Sequence, residues 1–358
     1  MSSSEAAVRA AFAQQAVWCA DLGSPLTAAV MRLCAERLDR SSAVGRRVLD
    51  WTTRADAKGD AVPLRLAGGL HDLARSGAIP GLAAAYPPHV LPDDKTLWAG
   101  IEAALHAPGD PLDPWLNSAP QTNEVARSAI LMAGLMQVAD TVRLPLALYE
   151  LGSSAGLNLM LDRYSYRLGG VVAGDPASPL RLEPEWRGPP PRYGAVQVAS
   201  RQGVDLNPID ARDEAARARM LAYVWPDQAA RLARIRTALD MAAAAPPPIT
   251  QGDAAAWIES VLPEAPQPGA ARVVMHSIAF QYFPAETRAR IVARLNAAGG
   301  QATAEAPLAW LRFEVDPTVG DRPALRLTLW PGGADRLLAI GSAHGHWVEW
   351  GGETLLAQ

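Results

Sequence analysis

Residues 146–164 read LALYELGSSAGLNLMLDRY, and the five letters at their centre, Gly152-Ser153-Ser154-Ala155-Gly156, decide the fold. As Gly-x-Ser-x-Gly they form a nucleophile elbow, with Ser154 the nucleophile of a hydrolase. As a glycine loop between a strand and a helix they form a ligand cradle, with Glu150 at the strand end ahead of it. The run Leu144–Tyr149 reads as a short buried strand and LNLMLDRY as an apolar helix. Gly152 and Gly156 would let the backbone turn sharply and approach a ligand with no β-carbon in the way. The helix N-terminus would add free N–H groups and a positive dipole end. An acid at the strand end suits an ammonium or sugar hydroxyls. It does not suit a pyrophosphate, and no Lys-Ser/Thr follows the glycines as a Walker loop requires.

The hydrolase reading asks for more than the sequence supplies. Several strands and an oxyanion loop should precede an elbow. Here the preceding chain reads as helices, and no His-Gly-Gly stretch occurs. The acid and histidine should follow the serine. Asp253 with His276, or Glu314 with His344, meets that order and nothing more.

Working outward, residues 1–118 read as a helical N-terminal region. Val8, Phe12 and Cys19 share one helix face, and Ser24-Pro25 opens a second helix whose buried stripe is Leu26, Val30, Leu33 and Cys34. A third helix, PLRLAGGLHDLARSG, ends at Gly77. APQTNEVARSAILMAGLMQVAD reads as one helix feeding the central motif. Residues 119–358 read as an α/β region with a Gly/Pro-rich insertion at 165–194. Ala195–Ser200, ITQ, ARVVMHSIAF and APLAWLRFEV read as strands, alternating with helical blocks at 213–244, around AAAWIESVL and at AETRARIVARLNAAGG. Such alternation implies a mainly parallel sheet covered on both faces. ALRLTLWPGG and LLAIGSAHGHWVEW flank a turn and add a C-terminal antiparallel hairpin.

Composition narrows the function. Of 358 residues 49% are hydrophobic and 20% charged, enough for a large core. A net charge of −4 with scattered arginines argues against a nucleic-acid surface. The start lacks the basic region and apolar run of a signal peptide, and no uncharged stretch has the length of a membrane span, so the expected location is cytoplasmic, away from membranes. The two cysteines, Cys19 and Cys34, fit a reducing compartment, and no zinc-binding spacing occurs. His344 and His346 share a strand face but have no evident third ligand, so no metal is expected.

The central motif resembles that of class I S-adenosylmethionine-dependent methyltransferases. Their acid-x-Gly-x-Gly-x-Gly stands here as Glu150-Leu151-Gly152-Ser153-Ser154-Ala155-Gly156, with Ser154 in place of the middle glycine. The resemblance implies a Rossmann-like methyltransferase fold and S-adenosylmethionine as cofactor. Glu150 would lie near its methionine part, Gly152, Ser153, Ser154, Gly156 and Asn158 beneath it. In GVDLNPID an acid would hold the ribose hydroxyls, Asp205 first and Asp210 second. In TQGDAAAW, Asp253 and Ala254 would meet the adenine, and in VVMHSIAFQYF, His276 and Ser277 would face cofactor and substrate. Over nearly its full length, through GSPL, QTNEVARSA, VWPDQAARLARIR, VVMHS and WLRFE, the chain also resembles a bacterial family of uncharacterised proteins placed in that superfamily.

Candidate chemistry follows. His276 at a strand end is placed as a general base, with Tyr282 as a second catalytic candidate. Asn123 and Arg127, four apart on a helix, would bind a small-molecule substrate together with Tyr164 and Gln281. The expectation is a methyltransferase acting on a small molecule. The alternatives are a non-catalytic cofactor binder, with Ser154 interrupting the motif, and a serine hydrolase.

Overall fold

The computed structural model describes residues 4–263 and 268–351. The chain divides into two compact units, residues 1–122 with 214–236, and residues 123–213 with 237–358. The extreme ends of the two regions set out above, 1–3 and 352–358, lie outside the described residues.

The first unit is helical. Its first six helices are α1 (Glu5–Asp21), α2 (Pro25–Arg37), α3 (Ala43–Leu49), α4 (Val62–Ser76), α5 (Pro80–Ala83) and α6 (Asp94–Leu105). The predicted stripes are its core, with Val8, Phe12, Cys19, Val30, Leu33 and Cys34 all nearly inaccessible. Gly77 closes α4 in the left-handed conformation (φ +70°) that favours glycine. Burial pushes the thiol of Cys19 up to about 11 and that of Cys34 up to about 12, so both behave as packing groups. The unit is discontinuous, because residues 214–236 belong to it rather than to the α/β region. Asp227 from that segment accepts hydrogen bonds from the Leu26 amide (2.8 Å) and the Ser24 hydroxyl (2.5 Å). A carboxylate there satisfies an orphan N–H of α2 and complements its dipole. The GSPL and VWPDQ stretches thus meet for a structural reason.

The second unit is built on a nine-stranded sheet. The chain enters it through α7 (Ser128–Val142), then β1 (Leu146–Leu151), β2 (Ser165–Leu168), β3 (Val171–Gly174), β4 (Arg181–Leu182), β5 (Glu185–Arg187) and β6 (Val198–Asp205). After α8 (Glu214–Ala222) and α9 (Ala229–Ala244) come β7 (Ile249–Gln251), α10 (Ala254–Val261), β8 (Ala271–Ser277), α11 (Ala285–Gly300) and β9 (Leu308–Asp316). The strands β10 (Arg322–Trp330), β11 (Ala334–Gly341) and β12 (Trp347–Trp350) end it. Across the sheet the order is β5-β12-β11-β10-β9-β8-β1-β6-β7. From β7 to β9 neighbouring strands are parallel, and β9 to β12 form an antiparallel meander. The expected mainly parallel centre and C-terminal hairpin are present, and the parallel order matches a Rossmann-like sheet. The central strands β1 and β8 are buried at every residue, as apolar strands covered on both faces are.

On one face Ala147, Tyr149 and Leu151 pack with residues of α10 and α11 such as Trp257, Ile258, Ile291 and Leu295. On the other α7 lies so close that a β-carbon on Gly134 would come within 2.6 Å of Leu311. Two sequence expectations are corrected here. LNLMLDRY is not an α-helix but a 3₁₀ stretch, Asn158–Arg163, leading straight into β2. The insertion forms a small sheet, order β3-β2-β4, and its remaining strand, β5, joins the main sheet at its far edge beside β12. The helix expected over APQTNEVAR starts later: Val125–Arg127 is 3₁₀ and α7 begins at Ser128.

Candidate functional site at the carboxyl edge of the sheet

The parallel order turns at β1. The chain passes from it to β6 on one side, whereas β8 lies on the other. In open α/β sheets ligands bind outside the carboxyl ends of the strands at such a switch point. Leu151 and Ser277 end the two strands there, and the Gly152–Gly156 loop follows β1 directly.

The loop is tied to its own chain. The Gly152 and Ser153 amides both donate to the Val204 carbonyl, and the Ser154 amide to Asp205 Oδ2 (2.8 Å). The Gly156 amide donates to the Ser153 carbonyl and the Leu157 amide to Asn123 Oδ1 (2.9 Å). The Ser153 hydroxyl turns back to the Glu150 carbonyl (2.9 Å) across Gly203, where a β-carbon would lie 2.1 Å from that hydroxyl. Both loop glycines have positive φ, +71° and +69°, but the space a β-carbon would fill is already approached by Ala279 at Gly152 and by Pro247 and Ile249 at Gly156. Ser154, the substitute for the middle glycine, is itself at φ +54°. Its buried hydroxyl meets no hydrogen-bond partner among the described residues. No serine–histidine pair is therefore assembled there.

Glu150 is 2% exposed and lies on the face of β1 opposite Tyr149. Burial pushes its pKa well above the usual carboxylate range and Asp205 adds to this, while the Asn158 side chain and the Leu159 amide oppose it. Its Oε2 is buried and meets no hydrogen-bond partner among the described residues. Asn158 in turn accepts from the Ser128 hydroxyl (2.7 Å). Asp205 ends β6 half-buried, with Oδ1 on the Asn207 amide (2.8 Å) as well as Oδ2 on Ser154. Asp210 is exposed on the following loop and paired with Arg212, which holds its carboxyl down to about 2. Asp253 caps α10 through the Ala256 amide (2.9 Å) and meets the Thr287 hydroxyl (3.3 Å), with Ala254 buried behind it.

Asn123 and Arg127 do not share an α-helix, and both are buried, as is Glu124 between them. Asn123, Glu124 and Arg127 are 5%, 6% and 9% exposed, and all three precede α7, with Arg127 closing the 3₁₀ stretch. Arg127 donates to the Ser277 carbonyl (3.2 Å) and the Ala343 carbonyl (2.8 Å), tying the end of β8 to the β11–β12 loop. Tyr164 does not line an open pocket. It is fully buried and donates to the Leu157 carbonyl (2.7 Å). Gln281 and Tyr282 are exposed just past the end of β8.

His276 is where a base was expected, but both its nitrogens are engaged. The Trp310 indole donates to Nε2 (3.0 Å), and an indole N–H can only donate. The ring proton therefore sits on Nδ1 and is donated to Glu314 Oε1 (2.7 Å). With the ring fully buried and no open lone pair, His276 acts as a brace in this arrangement rather than as a base. Glu314 Oε1 also accepts from the Ala279 and Phe280 amides (3.0 and 3.1 Å). Burial raises the pKa of Glu314, but the His276 hydrogen bond and the two amides outweigh it and hold the carboxyl below its ordinary value. Sequence reading used Glu314 only as a possible partner of His344. The missed signal was alternation: Trp310, Arg312 and Glu314 put three polar-tipped side chains on one face of β9, while Ala309, Leu311 and Phe313 between them are apolar and buried.

Asp205, at the end of the strand next to β1, has Oδ1 on the Asn207 amide and Oδ2 on the Ser154 amide. The glycine loop has the amides of Gly152, Ser153, Ser154 and Gly156 and the space beside both glycines taken by the chain itself. Among the described residues no group of three or more His, Cys, Asp or Glu side chains is arranged to hold a metal ion. One stretch of them, Val125–Val142, is long and apolar enough to cross a membrane, but 78% of it is buried as the helix packed on the sheet.

The fold is α/β, with a mostly parallel central sheet compatible with a Rossmann-like fold. Residues 9–350 match the model of a family described as uncharacterised protein conserved in bacteria (DUF2332), and the chain belongs to that family. No curated protein and no solved structure is detectably similar to it.

Proposed function

We propose that the carboxyl edge at the β1/β8 switch point binds S-adenosylmethionine and that the protein transfers its methyl group to a small molecule. The observation that carries this reading is the placing of two acids, Glu150 and Asp205, at the ends of adjacent strands flanking a left-handed loop. Asp205 would accept from the ribose hydroxyls while its present hydrogen bonds keep the loop in register. Because Ala279 and Phe283 lie over Gly152, binding along the loop requires the 278–283 segment to shift. The chain's own residues then position the ligand and exclude water; orientation alone lowers a barrier by about 7–11 kcal/mol. A sparse set of acids and bases is compatible with methyl transfer.

Calorimetric titration with S-adenosylmethionine and its demethylated product tests the reading. Both bind the full chain, and Asp205→Asn weakens binding about tenfold, the value of a hydrogen bond to a charged acceptor. No heat at high ligand concentration would overturn it, and methyl transfer to a component of cell extract separates an enzyme from a binder.

A further inference from the structure

Half of the Glu314 carboxylate is without a partner. Oε1 accepts three hydrogen bonds, from His276 and from the Ala279 and Phe280 amides, whereas Oε2 is buried and meets no donor among the described residues. Buried polar atoms in native proteins are nearly always paired, and an unpaired carboxylate oxygen is costlier than an unpaired neutral one. The surroundings indicate which partner is suited. The His276 ring stacks on Phe280 at 4.8 Å, and Phe280 meets Phe283 and Trp310 edge-on at 5.7 and 6.1 Å. A carboxylate beside several aromatic rings is the chemistry that holds organic cations. The position is at the crevice, because Oε1 clamps the turn at the end of β8. In that turn Ile278 adopts φ +46°, uncommon for a β-branched residue, and Ala279 and Phe283 lie over Gly152.

We propose that Glu314 Oε2 anchors an organic ammonium ion, so that the small molecule taken at this edge is an amine, with its carbon substituents against Phe280 and Phe283. This names the substrate class for the site described above. It rests on the placing of that site and not on which cofactor occupies it.

The test is thermal unfolding of the full chain at fixed ionic strength with butylammonium, choline and the neutral isosteres butanol and the tert-butyl analogue of choline. The two cations raise the unfolding temperature further with each increase in concentration, and the neutral compounds do not. Glu314→Gln keeps a carbonyl for the three donors but removes the charge, and needs about tenfold more cation for the same shift. Phe283→Leu, which retains an apolar side chain, weakens the response several-fold and serves if the Gln variant does not fold. Equal shifts from charged and neutral compounds, an unchanged response in either folded variant, or no response of the wild type to either cation overturns the proposal. Calorimetry with S-adenosylmethionine is independent of these titrations, so an amine failure with cofactor binding intact counts against this inference alone.

Discussion

At the scale of the residue, the same side chains read differently once their partners are known. His276 ends a buried strand and looked like a base, but an indole N–H on Nε2 and a carboxylate on Nδ1 leave it no lone pair. No single-sequence signal shows this, because Trp310 and Glu314 lie 34 and 38 residues away. Glu150 was legible as a strand-end acid. That it is buried, facing Asn158 rather than solvent, was not. Its raised pKa has a definite consequence for stability. A carboxyl whose folded pKa lies above its unfolded value contributes stability that is complete below the unfolded pKa and is lost as pH rises through the folded pKa. Glu150→Gln therefore raises the unfolding temperature, and by more at pH 8 than at pH 4. Denaturation scans at the two pH values check this, and equal shifts would contradict a buried, proton-retaining Glu150.

At the scale of the element, periodicity located the N-terminal helices, and unbroken apolar runs located β1 and β8. What failed was the segment after the loop. LNLMLDRY carries a helical pattern, yet Tyr164 and Tyr166 bend back to bond the Leu157 and Leu161 carbonyls, and the chain leaves as β2 after a 3₁₀ stretch. Tertiary bonds overrode local propensity there. The β1–β6 pair shows the opposite case, in which a glycine has a clear packing reason. Gly203 lies beside Glu150 in register, and its missing β-carbon makes room for the Ser153 hydroxyl. Gly203→Ala is expected to cost about 1–3 kcal/mol by overpacking, seen as a lower denaturant midpoint. A neutral result would show that the loop is not held against β6.

At the scale of the whole molecule, the order of strands and helices was visible in the alternation of the sequence, but the membership of residues 214–236 in the helical unit was not. Helices carry no label of the core they join, and here the link is tertiary: Trp225 packs in the helical core, the His71 ring meets the Ala222 carbonyl, Tyr223 packs edge-on to Trp115, and Asp227 caps α2. Asp227→Ala removes the acceptor for Leu26 N and Ser24 Oγ and is expected to cost about 1–2 kcal/mol, read by thermal unfolding. Loss of less than a few tenths would contradict its role as the cap of α2. The paired strand ends at the switch point carry the functional claim. Hydrogen–deuterium exchange of the full chain with and without S-adenosylhomocysteine tests it most directly. The account predicts slowed exchange confined to residues 150–158, 203–209 and 277–283; slowing elsewhere, or none at saturating ligand, would contradict it.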